Sequence, residues 1–169
     1  MNTYIALLRG INVGGDTSFP MADLRALCVD LGLENVRTHI QSGNVIFTSD
    51  LSEEVLIEKM EKAIQSKKQK NIPVVLRTAE ELECVIASNP FPDGNPSQVG
   101  VMFFVDPVPI DLFGHSANPG PEEVAIKGRE IYIHYPNGMG RSKLKIPLSH
   151  KGTVRNINTV NKLLALTIR

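Results

Sequence analysis

Residues 35–47 read N-V-R-T-H-I-Q-S-G-N-V-I-F, and the alternation inside them decides the fold class. Val36, Thr38 and Ile40 fall on one side of an extended chain and Arg37, His39 and Gln41 on the other, because successive strand side chains point to opposite faces. Ser42-Gly43 interrupts that alternation and Val45 and Phe47 resume it, so the stretch predicts two strands joined by a tight turn. Upstream, residues 4–8 form a short apolar run, Y-I-A-L-L, that predicts a buried strand ending at Arg9-Gly10. Between run and hairpin, Met21, Leu24, Leu27, Cys28 and Leu31 recur at helical spacing, with Pro20 suited to the first helical position and Gly32 to the stop. Downstream, a second helix opens at Asp50 or Ser52 and carries Leu56, Met60, Ala63 and Ile64 inward. It ends in Lys67-Lys68-Gln69-Lys70, where cations suit a helix C-terminus. Residues 73–77 predict the next strand.

Strand, helix, strand, strand, helix, strand over residues 3–78 is the order of a ferredoxin-like βαββαβ sandwich, an antiparallel sheet with two helices on one face. Thr78 and Glu81 form a T-x-x-E capping box that predicts a third helix through Leu82, Val85 and Ile86, stopped by Asn89-Pro90. Pro92, Gly94 and Pro96 then mark a boundary. The expected organisation is α+β: a ferredoxin-like N-terminal subdomain with one added helix, residues 1–90, and a smaller α+β C-terminal subdomain, residues 91–169. The latter predicts a strand at 99–105, a Pro/Gly-rich loop, a hairpin of 123–127 and 130–135 turning at Gly128-Arg129, and a helix carrying Val160, Leu163 and Leu164.

At 169 residues, with 42% hydrophobic residues and a mean hydropathy of −0.05, the composition is that of a globular protein. No apolar run approaches the roughly 18 residues of a membrane span, and no cleavable leader opens the chain, so a cytoplasmic location without membrane attachment is expected. Cys28 and Cys84 are the only cysteines, and both fall on expected inward helix faces as small core residues. The net charge is +0, unevenly distributed. Residues 1–130 hold 11 Lys/Arg against 18 Asp/Glu, and residues 131–169 hold 7 Lys/Arg and no acid. An acidic body with a basic tail points to an anionic partner or to packing of the tail on the body.

The topology makes a geometric prediction about R-G-I-N-V-G-G, residues 9–15. Strands one and two of a right-handed strand-helix-strand unit run parallel and end at the same sheet edge. The glycine-rich loop should therefore lie beside the Q-S-G-N turn, with the N-terminus of the intervening helix at the same edge. Arg9 offers a planar fork for phosphate or carboxylate, and Gly14 and Gly15 let backbone approach closely. Asn12, Gln41, Ser42 and Asn44 offer polar groups to orient a ligand. The loop matches neither the P-loop nor the dinucleotide fingerprint, and a wide turn held by glycines, with Arg9 paired to a carboxylate, is the structural alternative. A second group, Arg141, Ser142, Lys143, Arg155 and Asn156, lies in the basic tail. Phosphate or carboxylate contact suits its cations better than catalysis by Ser142, because adjacency to Lys143 does not bring the two side chains together. The four histidines lack metal-ligand spacing and no cysteine cluster exists, so no metal or other cofactor is expected. Aromatics are 5% of the chain with no interleaved aromatic and basic run, which argues against RNA recognition by base stacking.

The runs R-G-I-N-V-G-G, M-A-D-L-R-A-L-C-V-D-L-G-L-E-N-V-R-T-H-I-Q-S-G-N-V-I-F, G-R-S-K-L and T-V-R-N-I-N-T-V-N-K-L-L-A-L, in that order, closely resemble the bacterial domain-of-unknown-function family numbered sixteen ninety-seven. The resemblance spans nearly the whole chain and implies a ferredoxin-like first half, a smaller α+β second half and no established activity. Positions matching its pattern are Arg9, Gly10, Asn12, Gly14, Gly15, Gln41, Ser42, Gly43, Asn44, Ser142, Lys143, Arg155, Asn156 and Thr159. The chain departs from it at His39, where an aromatic such as Tyr is usual, and at Ile157, where Trp is usual.

These observations predict a protein that binds a small anionic ligand, phosphate- or carboxylate-bearing, in a groove between its two halves; they name no reaction. A nucleic-acid-binding module using the basic tail and a protein-interaction adaptor without ligand are the alternatives.

Overall fold

The structure, a computed structural model, describes residues 1–11, 18–39, 43–113, 121–142 and 144–167. The chain divides into two compact units, Met1–Leu82 with Leu163–Arg169, and Glu83–Lys162. Together they are mixed α+β, with a four-stranded antiparallel sheet in each.

In the first unit the order is β1 (Asn2–Leu8), α1 (Met21–Asp30), β2 (Glu34–His39), β3 (Asn44–Ser49), α2 (Glu53–Lys68) and β4 (Val74–Thr78). The sheet order is β2-β3-β1-β4. Tyr4, Ala6 and Leu8 of β1, Val45 and Phe47 of β3, and Val74 and Leu76 of β4 share one face, and their core includes Leu24, Leu27 and Cys28 of α1 and Leu56, Met60 and Ile64 of α2. Alternation in the strands and i, i+4 spacing in the helices build this core. Ser52 caps α2 by accepting from the Val55 N–H, acids fill its first turn and lysines its last, and Gln69 closes it in the left-handed conformation. Pro20 stands one residue before α1 as its N-cap, not as its first helical residue.

The face away from those helices is also buried: Ile5, Leu7, Ile46, Val75 and even Arg77 are each no more than 1% exposed. Tyr4 and Phe47 stack in the helix-side core, so these sheet aromatics offer no platform to a base.

The capping box forms as expected at the start of α3 (Ala79–Ala87): Thr78 N–H donates to Glu81 and Glu81 N–H to the Thr78 hydroxyl. Cys84 corrects the sequence reading, since it is exposed while Cys28 is buried. Leu82 and Val85 define the inner face of α3, and Cys84, two residues from Leu82, is turned about 200° away from it around the helix.

The second unit contains β5 (Val99–Phe103), β6 (Glu123–Lys127), β7 (Glu130–His134) and β8 (Thr153–Asn156) in the order β6-β7-β5-β8. The β6–β7 hairpin turns at Gly128, whose φ of +60° favours glycine. Met102, Phe104, Val108, Ile131, Ile133 and Tyr135 form one core cluster. Tyr132 is buried too, with its hydroxyl donating to the Val85 carbonyl at 2.7 Å. α4 (Ile157–Thr167) follows β8 directly. Among the described residues no helix is long and apolar enough to cross a membrane.

Candidate functional site

β1 and β2 each run antiparallel to β3 and therefore parallel to one another, so the end of β1, the end of β2 and the start of β3 meet at one edge. Leu7 and His39 both register with Asn44 there. The edge is stitched by backbone bonds: Leu8 N–H donates to the Gly43 carbonyl at 2.9 Å and Arg9 N–H to the Pro73 carbonyl at 3.1 Å. Gly43 is fixed twice over. Its φ is +83°, and a Cβ there would lie 2.6 Å from Ile11 Cδ1 and 3.0 Å from Leu8 Cβ, closer than packed carbons tolerate. Gly43 is thus docked onto Leu8 and Ile11, the residues flanking Arg9 and Gly10.

α2 returns to the same edge. Glu61 accepts the Val74 N–H at 2.9 Å, tying the start of β4 to that helix. The result is a pocket of about 170 Å³ lined by Arg9, Gly10, Ser18, Lys68, Lys70, Asn71, Ile72 and Pro73. Three of these residues are cationic and none is acidic. Lys68 is held with its ammonium 5.0 Å from the centroid of the Phe19 ring, a cation–π contact that fixes an otherwise mobile charge. Gly10, at φ +69° and with nothing within 4 Å of a Cβ position, leaves its backbone accessible. The N-terminus of α1 is also at this edge, but Asp23 occupies its first turn and already complements the dipole.

The sequence expectation named twelve residues. Asn12, Gly14, Gly15, Gln41, Ser42 and Lys143 lie outside the described residues, as does the side chain of Arg141, whose backbone forms a 3-10 turn over Met139–Arg141. Arg9 lines the pocket. Asn44 is fully buried and donates from Nδ2 to the His39 carbonyl at 3.0 Å, a bond that closes the hairpin.

In the second unit, the Ser142 hydroxyl donates to Glu122 Oε1 at 3.2 Å and accepts the Leu144 N–H at 3.1 Å. Its carboxylate partner also acts on Tyr135, whose hydroxyl is pushed up to about 12 by burial first and by Glu122 second. Arg155 is 7% exposed, donates to the Thr153 hydroxyl at 2.6 Å and the Val154 carbonyl at 2.9 Å, and is held down to about 10 by burial. Asn156 accepts the Thr159 N–H at 2.9 Å and so caps α4. These three side chains have structural employment in strand, turn and cap.

Lys68, Lys70, Ser18 and Asn71 were missed by sequence reasoning, which assigned the lysines to the dipole of α2 alone. The signal was in the topology: in a βαββαβ unit the second helix ends at the edge where the first strand ends. Among the described residues no group of three or more His, Cys, Asp or Glu is placed to hold a metal ion.

Comparisons with known proteins agree with this architecture. A family model described as "Protein of unknown function (DUF1697)" matches residues 1–132. The solved structure of the conserved bacterial protein SP0830 from Streptococcus pneumoniae is similar at 26% identity with a TM-score of 0.82, covering 100% of this chain and 99% of that one. Among curated proteins nothing matches.

Proposed function

The chain belongs to the DUF1697 family of proteins of unknown function, and from that premise we propose that it binds a small phosphate-bearing ligand at the loop edge of its first unit. The observation that carries the proposal is the pocket of about 170 Å³ bounded by Arg9, Lys68 and Lys70, with no carboxylate among the described residues that line it. Three cations around one small cavity match a phosphate group, which carries up to two negative charges and three strong acceptor oxygens. Arg9 supplies the planar fork, Lys68 a charge positioned by Phe19, and Gly10 a backbone that a ligand can approach. Gly14 and Gly15, which follow Arg9 in sequence, are the proposed contributors of further backbone N–H groups. The sheet order β2-β3-β1-β4 supports reading this unit as ferredoxin-like. Cytoplasmic residence belongs to the same reading and is supported by two free cysteines.

The nucleic-acid reading draws less support, because Arg155 of the basic tail is buried and Tyr4 and Phe47 are core residues.

The test is a thermal-shift series with pyrophosphate, nucleoside phosphates, sugar phosphates and short RNAs, run on the native protein and on Arg9→Ala and Lys68→Met. A ligand present at about 100 times its Kd adds about 2.7 kcal/mol of stability. Stabilisation by a phosphate compound that both variants lose supports the proposal. If no compound stabilises the protein, or if the variants respond like the native chain, the phosphate site does not exist. A response confined to RNA and steeply weakened by salt returns the case to the nucleic-acid module.

A further inference from the structure

A second cavity lies at the other end of the first sheet. It measures about 440 Å³ and is lined by Thr3, Asn35, Val36, Arg37, Ile46, Phe47, Thr48 and Thr167. Thr3, Ile46 and Thr48 share the sheet face turned away from the α1 and α2 core, and Arg37 joins them because it registers with Ile46. The register of β2 shifts between Glu34 and Arg37, and Asn35 sits in that irregularity at φ +53°. A bulge of this kind re-aims side chains: Asn35 Nδ2 reaches across to the Thr48 hydroxyl at 3.0 Å, and Thr48 in turn donates to the Glu34 carbonyl.

Arg37 makes this cavity more than a gap in the surface. Its Nη1 is buried and has no hydrogen-bond partner among the described residues, the single side-chain nitrogen or oxygen there of which that is true. Native structures satisfy nearly all buried donors, and a charged donor left without an acceptor is the costlier kind to leave. The described lining residues carry this one cation, no acid, three threonine hydroxyls and one amide, beside the apolar side chains of Val36, Ile46 and Phe47. A single positive charge with neutral hydrogen-bonding groups and apolar surface suits a monoanion with an apolar body, whereas a dianion would stay under-neutralised.

We infer that this cavity binds a small amphiphilic carboxylate, its carboxylate accepting from Arg37 and its apolar body filling the cavity beside it. The site is independent of the phosphate pocket. Thr3 and Arg9 are six residues apart along β1, about 20 Å at strand rise, which exceeds the screening length of about 8 Å at physiological salt.

The experiment is a titration of the isotopically labelled protein with butyrate, benzoate, inorganic phosphate and chloride at matched ionic strength, following the amides of Thr3, Arg37 and Thr48 and the Arg37 side-chain N–H signals. Butyrate or benzoate should shift these signals saturably and phosphate should not. Arg37→Gln should weaken carboxylate binding about tenfold, the equivalent of about 1.4 kcal/mol for a lost charge-assisted bond, while Arg9→Ala leaves it unchanged. If Arg37→Gln does not fold, Thr3→Val provides the reading, with binding about threefold weaker for one lost neutral hydrogen bond. The inference is overturned if no carboxylate shifts these signals, if phosphate or chloride shifts them equally, or if the folded variant binds as tightly as the native chain.

Discussion

Substituting Gly43 by alanine tests the docking of the hairpin turn on the end of β1, and its magnitude follows from two separate terms. The first is conformational: at φ +83° a residue with a Cβ sits in the left-handed region, which costs about 1–2 kcal/mol. The second is steric: the new methyl would meet Ile11 Cδ1 at 2.6 Å, Ile11 Cγ1 at 2.9 Å and Leu8 Cβ at 3.0 Å. Ile11 and Leu8 are 1% and 0% exposed, so neither can swing into solvent, and overpacking of this kind costs about 1–3 kcal/mol. Stiffening of the unfolded chain returns about 0.4–1 kcal/mol, leaving a net loss of about 1–4.5 kcal/mol. Gly32 is the internal control. Its φ is +84° but nothing lies within 4 Å of its Cβ position, so Gly32→Ala carries only the conformational term and should cost about 0–1.5 kcal/mol. The assay is urea unfolding followed through the amide signals of Ile5 and Ile46, which report on the first unit by itself and avoid treating a two-unit chain as one transition. Equal costs for the two variants would refute the close approach, and with it the claim that the turn and the Arg9 stretch are packed as one piece.

Removing one member of the capping box, Thr78→Ala, should destabilise the start of α3 by about 1 kcal/mol, measured by the same unfolding assay. Burial pushes the Cys28 thiol from its ordinary 9.0 up to about 12, so the folded state holds this proton more tightly than the unfolded state. Stability tied to Cys28 is therefore full below pH 9.0 and is lost as pH rises towards about 12. Cys28→Ala should flatten the first part of that decline in the urea midpoint, whereas Cys84→Ala should leave it unchanged. In native buffer a thiol reagent should modify Cys84 alone.

How far these features were legible in the sequence depended on the range of the interaction. The T-x-x-E box, the Gly128 turn and the spacing of Leu56, Met60 and Ile64 are decided by neighbours within a few residues, and each stands where local chemistry put it. β8 was missed because four residues, Thr-Val-Arg-Asn, are too short for a period to show, and because Arg155 at their centre reads as a surface cation. It is buried because bonds to Thr153 and Val154 satisfy its guanidinium, a circumstance no spacing reveals. Asn156 carried the opposite ambiguity: an asparagine three residues before Thr159 is as good a helix cap as a ligand group, and it caps α4. Lys68 and Lys70 were read correctly as the end of α2 and incompletely as nothing more. Only the strand order brings them to Arg9.

The two cavities share β1, and that sharing gives the fold a functional logic. Strand alternation sends Tyr4, Ala6 and Leu8 into the helix-side core, while Thr3, Ile5 and Leu7 take the other face. The strand is therefore held rigidly along its length, with β3 on one side and β4 on the other. Thr3, near the start of β1, helps line one cavity, and Arg9, just past its end, helps line the other. Rigidity of the strand fixes their separation, so a ligand at either end cannot act on the other by bending β1. Coupling between the sites, where a double titration finds it, must run through residues beyond this strand; its absence would mean that one central strand supports two binding places of different charge without linking them.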